Sequence, residues 1–449
     1  MMCPRLLMLI ALVAILVAGA DDEAGPAAGE QHQQVQPTVA ERIEGRTFPS
    51  VFQAWNPADN LKSEDKLVTV ARHDLLFHSP RFFGLKWDGD HEGLAEGFRP
   101  ETIAPARQMR QKLLRHNSNM IFLAELRYRD AYRSFLPQDH RWWKRDGQGK
   151  LVMGWEEGGY IQLDFHQPEY RRHLALQAQA IMQTGVFDGI MIDWWSDDED
   201  RLKLVKAIRE SIGDKALILA NANDRQTPQT APFINGYFME CYRSKTAADW
   251  QRIADTLRWA EVHLRQPRIN CVETWFHQSR DDLSLMRATT ALTLVFSNGY
   301  CLFSDPNPLP TPDHLHNWYR FWDKRLGKPV RAFVSRGDGS FEREFENGVV
   351  IYNPMGNPAV TISFPQPWTN VAANRMGNRF VIDPADGDTA YGLIDLGIGM
   401  PELGMVKLSD LAGIVGPRKL PVRRDRYFQA VRPLSEYVRL AQENGAITD

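Results

Sequence analysis

The 449-residue sequence is poor in cysteine and has no excess of positive charge. Besides Cys3 it contains three cysteines, Cys241, Cys271 and Cys301, and each falls in an apolar stretch that we predict to be a strand. No Cys-x-x-Cys or His-x-x-x-His spacing accompanies them, so buried reduced thiols are favoured over a disulfide or a metal centre. The formal net charge of −3 provides no basic field, which argues against a nucleic-acid partner.

The N-terminal region has little of what a folded segment needs. Arg5 precedes a continuous apolar run, Leu6–Val17, and small residues follow it, which is the pattern of a cleaved export signal over residues 1–20. The run is shorter than the roughly 20 residues that span a bilayer. We therefore expect a secreted or periplasmic protein with no membrane contact after cleavage. Residues 21–45 are rich in Ala, Gly, Glu and Gln at their start, and we predict a disordered, dispensable linker.

The most informative stretch is Phe187–Asp198, with the sequence FDGIMIDWWSDD. The apolar run Ile190–Ile192 predicts a short buried strand. Gly189 at its start would allow a neighbouring backbone to approach closely. Asp193 ends the strand abruptly, and two tryptophans follow it.

An acid in this position faces a ligand crevice if the sheet is parallel, because the carboxyl ends of parallel strands meet at one edge. The alternative is that Asp193 caps the next helix. Ser196, Asp197 and Asp198 are better placed for that role. Asp193 is therefore a candidate functional residue.

Apolar strands alternate with amphipathic helices over about 250 residues, which is the pattern of a closed (β/α)8 barrel, the TIM-barrel fold of the α/β class. An open doubly wound sheet is the alternative, but no Gly-rich phosphate turn follows the first predicted strand. The predicted strands are Arg81–Trp87, Asn119–Leu126, Tyr160–Phe165, Phe187–Ile192, Ala216–Ala220, Gly236–Tyr242, Arg268–Trp275 and Gly299–Ser304.

The pattern changes after the barrel, which we place at residues 46–329. Short strands separated by Gly, Pro and Asn predict a small β-sandwich-like domain over residues 330–425. Residues 426–449 are predicted to form a helical tail.

A long insertion, Tyr128–Gly159, separates the second and third predicted strands. Its length and its aromatic residues favour a functional loop over a simple connection. Asp146-Gly147 predicts a hairpin turn within it. We expect Trp142 and Trp143 to form a wall of the substrate cleft.

Almost every predicted strand delivers an acid or a carboxamide to the same rim. Aromatic residues lie among these polar groups, and aromatic faces stack on sugar C–H surfaces while acids bind hydroxyl groups. The rim therefore favours carbohydrate chemistry, with two acids flanking a glycosidic bond. The polar candidates are Asp88, Glu125, Asp164, Asp193, Asn221, Glu240, Glu273 and Asp305, and the aromatic ones are Trp87, Trp194, Tyr242 and Trp275.

Asp193 and Glu240 are the predicted catalytic acids, since the fourth and sixth strands are one apart in a closed barrel. The apolar neighbours Met239 and Tyr242 would raise the pKa of Glu240 and suit it to donate a proton. Glu273 on the next strand is the competitor for that role. A purely structural Glu240 is the other alternative.

At these residues the sequence resembles a known group of enzymes. An Asp that ends the fourth strand in a DG-apolar-apolar-apolar-D pattern, with a Glu ending the sixth, is similar to the endo-α-1,4-polygalactosaminidases of glycoside hydrolase family 114. It is closer to their relatives, the hypothetical glycosyl hydrolases. Those also share the Trp-rich loop His140–Leu151 (HRWWKRDGQGKL) and the strand Gly348–Pro354 (GVVIYNP).

The resemblance covers roughly Arg81 to Pro354. It implies a secreted glycosidase barrel with Asp193 and Glu240 as the catalytic pair. We also expect a monomer that needs no cofactor. The chitinases of family eighteen are excluded, because Met191 replaces the middle Asp of their D-G-x-D-x-D-x-E motif and Trp195 replaces its Glu. A non-catalytic carbohydrate-binding barrel stays open. A metal-dependent hydrolase is the third reading, disfavoured because the histidines are scattered without ligand spacing.

Overall fold

The structure, a computed structural model, describes residues 37–275, 280–305 and 314–392. Its largest element is a sheet of eight parallel strands, each paired with the next along the chain. A bridge between Val51 and Cys301 joins the first strand to the eighth. The predicted (β/α)8 barrel is confirmed. Its strands are β1 (Phe52–Ala54), β2 (Leu75–His78), β3 (Ile121–Glu125), β4 (Gly189–Ile192), β5 (Leu217–Asn221), β6 (Gly236–Cys241), β7 (Cys271–Trp275) and β8 (Tyr300–Ser304).

Two of the eight predicted strands are wrong, and both errors come from aromatic segments that pack outside the barrel sheet. Arg81–Trp87 instead begins within a short 3-10 helix, Pro80–Phe83, which a proline at its first position favours. Tyr160–Phe165 contributes only Ile161–Gln162, paired with Asp130–Ala131 in a separate antiparallel ribbon. Strand propensity reflects fit to a half-buried pleated surface, and tertiary packing overrides it in both segments.

The true first two strands, β1 and β2, are too short to stand out in the sequence. β1 has three residues, and its central Gln53 is a polar side chain that is completely buried. β2 has four residues before Ser79-Pro80 turns the chain. The fourth to eighth strands nevertheless keep their predicted positions in the barrel.

Seven α-helices occur in the described part of the chain. Thr246 and Asp249 form a capping box, and Asp282 accepts bonds from the first turn of the next helix. Between β5 and β6 the chain forms a 3-10 helix, Ala231–Phe233, which has a proline in its first turn. The helices are α1 (Val39–Gly45), α2 (Lys66–Ala71), α3 (Pro100–His116), α4 (Pro168–Gln183), α5 (Glu199–Ile212), α6 (Ala247–His263) and α7 (Leu283–Phe296).

Residues 39–45 correct the prediction of a disordered linker over residues 21–45. They form α1, which has a capping box at its start. Arg42 on this helix is buried and donates a hydrogen bond to the carboxylate of Asp188. The composition of residues 21–45 as a whole did not reveal this helix, which is held by the buried Arg42–Asp188 ion pair and by the buried side chain of Ile43. Residues 1–36, which include the predicted export signal, lie outside the described part of the chain.

Asp188 ties three elements together at the amino end of β4. One of its oxygens accepts from Arg42 and, at 2.7 Å, from the guanidinium of Arg110 on α3. The other accepts from the backbone N–H of Phe122 on β3 at 3.0 Å. The carboxylate is 4% exposed, so these donors replace the water that it loses on burial.

Gly189 next to it permits close packing of the barrel, as its position predicted. A β-carbon added there would lie 2.1 Å from the carbonyl oxygen of Leu217 on β5. That distance is far below any van der Waals contact, so β4 and β5 could not pair in this register with a larger residue. Ile190, Met191 and Ile192 are then completely buried.

A second, antiparallel sheet of six strands follows the barrel, which confirms the small C-terminal β domain. It packs on α7, where a β-carbon on Gly387 would lie 2.3 Å from that of Ala291 and where Arg287 pairs with Asp386 at 2.6 Å. The predicted boundaries at 330 and 425 and the helical tail 426–449 stay predictions, since residues 393–449 are outside the described part. The strands are β9 (Val334–Ser335), β10 (Phe341–Phe345), β11 (Gly348–Asn353), β12 (Val360–Asn370), β13 (Arg375–Ile382) and β14 (Asp386–Gly392).

Three further points concern sequence expectations. Cys241, Cys271 and Cys301 are all buried and free, as predicted. The hairpin turn at Asp146 is present, with its backbone N–H bonded to the carbonyl of Lys150 at 2.9 Å. Among the helices that the structure describes, none is both long and apolar enough to cross a membrane.

We predict that Asp188→Asn destabilises the protein strongly. Removing the charge leaves two buried guanidinium groups without their counter-ion, which costs about 3–5 kcal/mol. The free energy of unfolding in urea measures this effect. Asp139→Asn is the control, because that side chain is fully exposed and the change should stay within about 0.5 kcal/mol. Equal effects of the two substitutions would contradict the role of Asp188.

Candidate active site

The barrel brings polar side chains from consecutive strands to its carboxyl end. Asp193 follows β4, Asn221 ends β5, Glu240 lies near the end of β6 and Glu273 lies in β7. Glu240 and Glu273 are register partners in the β6–β7 pair, so the two acids lie side by side. These four side chains form the centre of the site.

Asn221 links the two predicted catalytic acids with a single nitrogen. Its side-chain amide donates to Asp193 Oδ1 at 2.7 Å and to Glu240 Oε2 at 2.8 Å. The two carboxylate oxygens are therefore no more than 5.5 Å apart, the sum of the two bond lengths. Asn221 is itself buried, and its carbonyl accepts from Asn223, which fixes the amide orientation.

The turn after β4 holds Asp193 rigidly. Trp194 adopts a left-handed backbone with φ of 52°, an unusual conformation for a bulky residue. Its backbone N–H donates to Asp193 Oδ1 at 2.9 Å. The next residue, Trp195, is buried and its N–H bonds to the carbonyl of Asn221. The helix that follows is capped by Asp198, so Asp193 is free of that task.

On the other side of the site, Glu273 holds a histidine. Glu273 is completely buried and accepts from the hydroxyl of Ser304 and, at 2.8 and 2.9 Å, from Nδ1 of His314. Nε2 of His314 lies 3.8 Å from Glu240 Oε1. Sequence reasoning missed His314, because it follows β8 at a distance and no motif marks it.

Trp55, at the end of β1, is a second residue that sequence reasoning missed. Its ring stacks on His314 with the ring centres 4.8 Å apart, and its indole N–H donates to Glu125 at 3.1 Å. Glu125, at the end of β3, also pairs with Arg127 at 3.0 Å. The predicted rim acid Glu125 is therefore in the site, but its charge is balanced by an arginine.

The surroundings raise the pKa values of both central acids. Burial, helped by the negative charge of Glu125, raises the pKa of Asp193 to about 6 against the bonds from Asn221 and Trp194. Burial raises the pKa of Glu240 to about 8, with further contributions from Asp193 and Glu273 and opposition from His314 and Asn221. Between these values one acid is ionised while the other keeps its proton.

Two of the four aromatic residues predicted for the rim lie beside the acids and face solvent. Trp194 is 46% exposed, and the guanidinium of Arg129 lies 4.2 Å from one of its rings. Tyr242 is 43% exposed, next along the chain from the end of β6. Trp275 ends β7, but its side chain lies outside the described part of the structure.

Trp142 and Trp143 do not line the cleft, which corrects the prediction. Trp143 is 2% exposed, and its indole N–H donates to the carbonyl of Pro137. Trp142 is also buried, against the ring of Tyr170 on α4. Both tryptophans belong to the main hydrophobic cluster of the barrel, which extends from the loop across α4.

Three other predicted rim residues lie away from the strand ends, because their strands were wrongly assigned. Trp87 is in the loop after β2, where it stacks on Phe98 and borders a cavity of about 180 Å³ that Glu125 also lines. Asp88 beside it is exposed. Asp164 accepts from Gln167 at the start of α4.

Asp305, directly after β8, is at the rim as predicted but serves an ion pair. It lies 2.8 Å from Arg280, which also pairs with Asp59. Within the described residues no group of three or more His, Cys, Asp or Glu side chains could hold a metal ion.

Comparisons with known proteins agree with this description at a coarse level. Residues 198–349 match the model of hypothetical glycosyl hydrolase family 15, which supports that part of the resemblance. This segment includes Asn221, Glu240, Glu273 and His314 but begins after Asp193. Residues 379–448 match a family of proteins of unknown function, DUF2958. No curated protein matches the chain in sequence.

Similar solved structures are all distant. The maltogenic α-amylase AmyB from Thermotoga neapolitana is 11% identical, with 76% of this chain and 96% of that chain covered and a TM-score of 0.45. An α-amylase from Malbranchea cinnamomea is 10% identical, with 79% and 97% covered and a TM-score of 0.46. The cyclic α-maltosyl-(1→6)-maltose hydrolase from Arthrobacter globiformis is 11% identical, with 79% and 100% covered and a TM-score of 0.45. At these values the likeness carries no argument about activity.

We predict that two tryptophans of this region differ greatly in their contribution to the free energy of unfolding. Trp143→Ala should destabilise the protein by about 3–5 kcal/mol, because it removes a large buried side chain. Trp194→Ala should change the free energy of unfolding by no more than about 0.5 kcal/mol, since its ring is half exposed. Urea denaturation measures both, and a Trp143→Ala protein of normal stability would place that side chain at the surface.

We predict that Glu240→Gln makes the protein more stable at alkaline pH. The pKa of Glu240 is raised on folding, so stability falls as the pH rises from the ordinary value of 4.5 through about 8, where the buried carboxyl must ionise. Glutamine removes that cost and can still accept from Asn221. Tm at pH 9 should rise by a few degrees, and Tm near pH 4 should change little.

The exposed Glu210 on α5 provides the matched control for this comparison. Glu210→Gln should leave Tm unchanged at both pH values. A Glu240→Gln protein whose Tm differs from that of the wild type equally at pH 4 and pH 9 would contradict the raised pKa.

Proposed function

We propose that this protein is a glycoside hydrolase that cleaves O-glycosidic bonds of a poly- or oligosaccharide with Asp193 and Glu240. The observation that carries the proposal is the single amide of Asn221 that bonds to both carboxylates. The amide of Asn221 holds two acids with different pKa values close enough together to act on one glycosidic bond. That is the arrangement needed for an acid and a nucleophile at an anomeric carbon.

The spacing favours a retaining mechanism. Carboxyl groups lie about 5–5.5 Å apart in retaining enzymes and about 6.5–9.5 Å apart in inverting ones, which need room for a water molecule. The oxygens Asp193 Oδ1 and Glu240 Oε2 are at most 5.5 Å apart, which is less than the separation in inverting enzymes and therefore favours the retaining class. Asp193 then attacks the anomeric carbon while Glu240 protonates the departing oxygen. Water afterwards releases the sugar from Asp193 and gives a proton back to Glu240.

Glu240 suits the role of acid better than its competitor Glu273. The side chain of Glu240 is 26% exposed, so it can reach a substrate. Glu273 is completely buried, and Ser304 and His314 already bond to it. A substrate oxygen would have to displace those donors to take a proton from Glu273.

The exposed aromatic residues support a carbohydrate as the substrate. Trp194 and Tyr242 each follow one of the two acids along the chain, and both rings are partly exposed, which suits stacking on a sugar. Arg129 covers one face of the Trp194 ring. The more specific similarity to the endo-α-1,4-polygalactosaminidases, and export through the N-terminal signal, belong to this proposal as predictions from the sequence.

The proposal is tested by screening the purified protein against a panel of polysaccharides and aryl glycosides. Asp193→Asn should abolish turnover on every substrate. Glu240→Gln should slow cleavage of natural linkages by about 10²–10⁴-fold but spare the first step on aryl glycosides whose leaving group needs no proton. Asp139→Asn and Glu210→Gln, both at exposed positions, are the matched controls.

The stereochemistry gives a separate test. Proton NMR of the first product should show the anomeric configuration of the substrate. An inverted product would contradict Asp193 as the nucleophile. Oligosaccharide binding without any cleavage would favour the non-catalytic carbohydrate-binding barrel instead.

A further inference from the structure

The residues around Glu240 form a chain of three titratable side chains. Glu273 and Glu240 lie on neighbouring strands, and His314 contacts both of them. On its other side Glu240 faces Asn221 and Asp193. His314 also acts electrostatically on the buried His316, and Glu240 and Glu273 act on the buried thiol of Cys241.

The hydrogen-bond chemistry fixes the orientation of His314. An ionised Glu273 can only accept hydrogen bonds, and with Glu273 in this form Nδ1 of His314, at 2.8 and 2.9 Å from it, carries a hydrogen. The stack on Trp55 and the contact with the ring of Phe238 hold the imidazole plane. Nε2 is therefore turned toward Glu240, 3.8 Å from its Oε1.

We propose that His314, oriented by Glu273, is a positioning residue that sets how strongly Glu240 holds its catalytic proton. One proton can lie on the Glu240 carboxyl, with His314 neutral, or on Nε2 of His314, with Glu240 ionised. The three side chains carry the same total charge of −1 in both placements. Moving the proton between Glu240 and His314 therefore does not change the net charge of the site. The proposal rests on the role of Glu240 as the acid of a glycosidase, given above.

The direction of the effect follows from charge. A proton on His314 stabilises the ionised form of Glu240 and lowers the pKa of that carboxyl, as the structure indicates. Without the imidazole, burial and the charges of Asp193 and Glu273 still raise the pKa of Glu240, while the opposing effect of His314 is lost. Removal of His314 should therefore raise the pKa of Glu240 further.

The test that needs no substrate is a carbon-13 NMR titration of protein labelled at the glutamate carboxyls, with the Glu240 signal assigned by its loss in Glu240→Gln. In His314→Phe, which keeps an aromatic ring against Trp55, the midpoint should move up by about one pH unit or more, the size that an opposite charge within 4–6 Å produces. His314→Gln should give the same shift. If His314→Phe does not fold, His314→Gln decides.

His116→Gln is the control, because this imidazole is exposed at the last residue of α3. It should leave the Glu240 midpoint unchanged. An unchanged or lowered midpoint in the folded His314 variants would overturn the proposal.

The kinetic readout is the pH profile of kcat/KM. Its alkaline limb, set by the acid, should move upward in the His314 variants. A merely structural histidine would lower kcat/KM equally at all pH values, and that result would also overturn the proposal. If the wild type cleaves no glycoside, the proposed function fails, and the NMR titration still decides the role of His314.

Discussion

The site depends on holding two acids close together in a largely buried place. Two carboxylates within 5.5 Å of each other cannot both ionise cheaply there, because each charge disfavours the other and water is excluded. The amide of Asn221 relieves part of this conflict by donating one hydrogen to each of Asp193 and Glu240. The repulsion that remains keeps the pKa values of Asp193 and Glu240 apart. This difference gives the two acids different chemical roles.

The barrel supplies the rigidity that this arrangement requires. Gly189 lets β4 and β5 approach so closely that Asp193 and Asn221 emerge side by side. At the opposite end of β4, Asp188 joins that strand to α1, α3 and β3 through buried charges. One short strand thus has a structural acid at its start and a candidate catalytic acid after its end. An aspartate at the start of β4 stabilises the fold, and an aspartate after its end is a candidate for catalysis.

The histidine beyond β8 extends the same principle to the second acid. Glu273 is an acid that donors satisfy completely, so it can orient His314 without taking part in the reaction. Trp55 from β1 supports the ring from the other side. The first strand and the segment after the last one thereby meet at Glu240, which is possible only in a closed barrel.

Local patterns in the sequence were sufficient to predict several elements of the fold and one residue of the site. The motif FDGIMID placed β4, its close-packing glycine and Asp193, and the alternation of strands and helices predicted the barrel. These patterns misled where propensity competes with packing. Aromatic residues made Arg81–Trp87 resemble a strand, while β1 was hidden by its length and its buried Gln53.

Which distant side chains meet depends on how the whole chain packs. Trp142 and Trp143 look like a binding surface in the sequence, but in the fold they are buried in the main hydrophobic cluster. Trp55 and His314 carry no motif, and they enter the site because closure of the barrel brings together segments about 260 residues apart in the chain. Contacts between such segments follow from the whole packing arrangement, because no local pattern in the sequence specifies which distant residues will be neighbours.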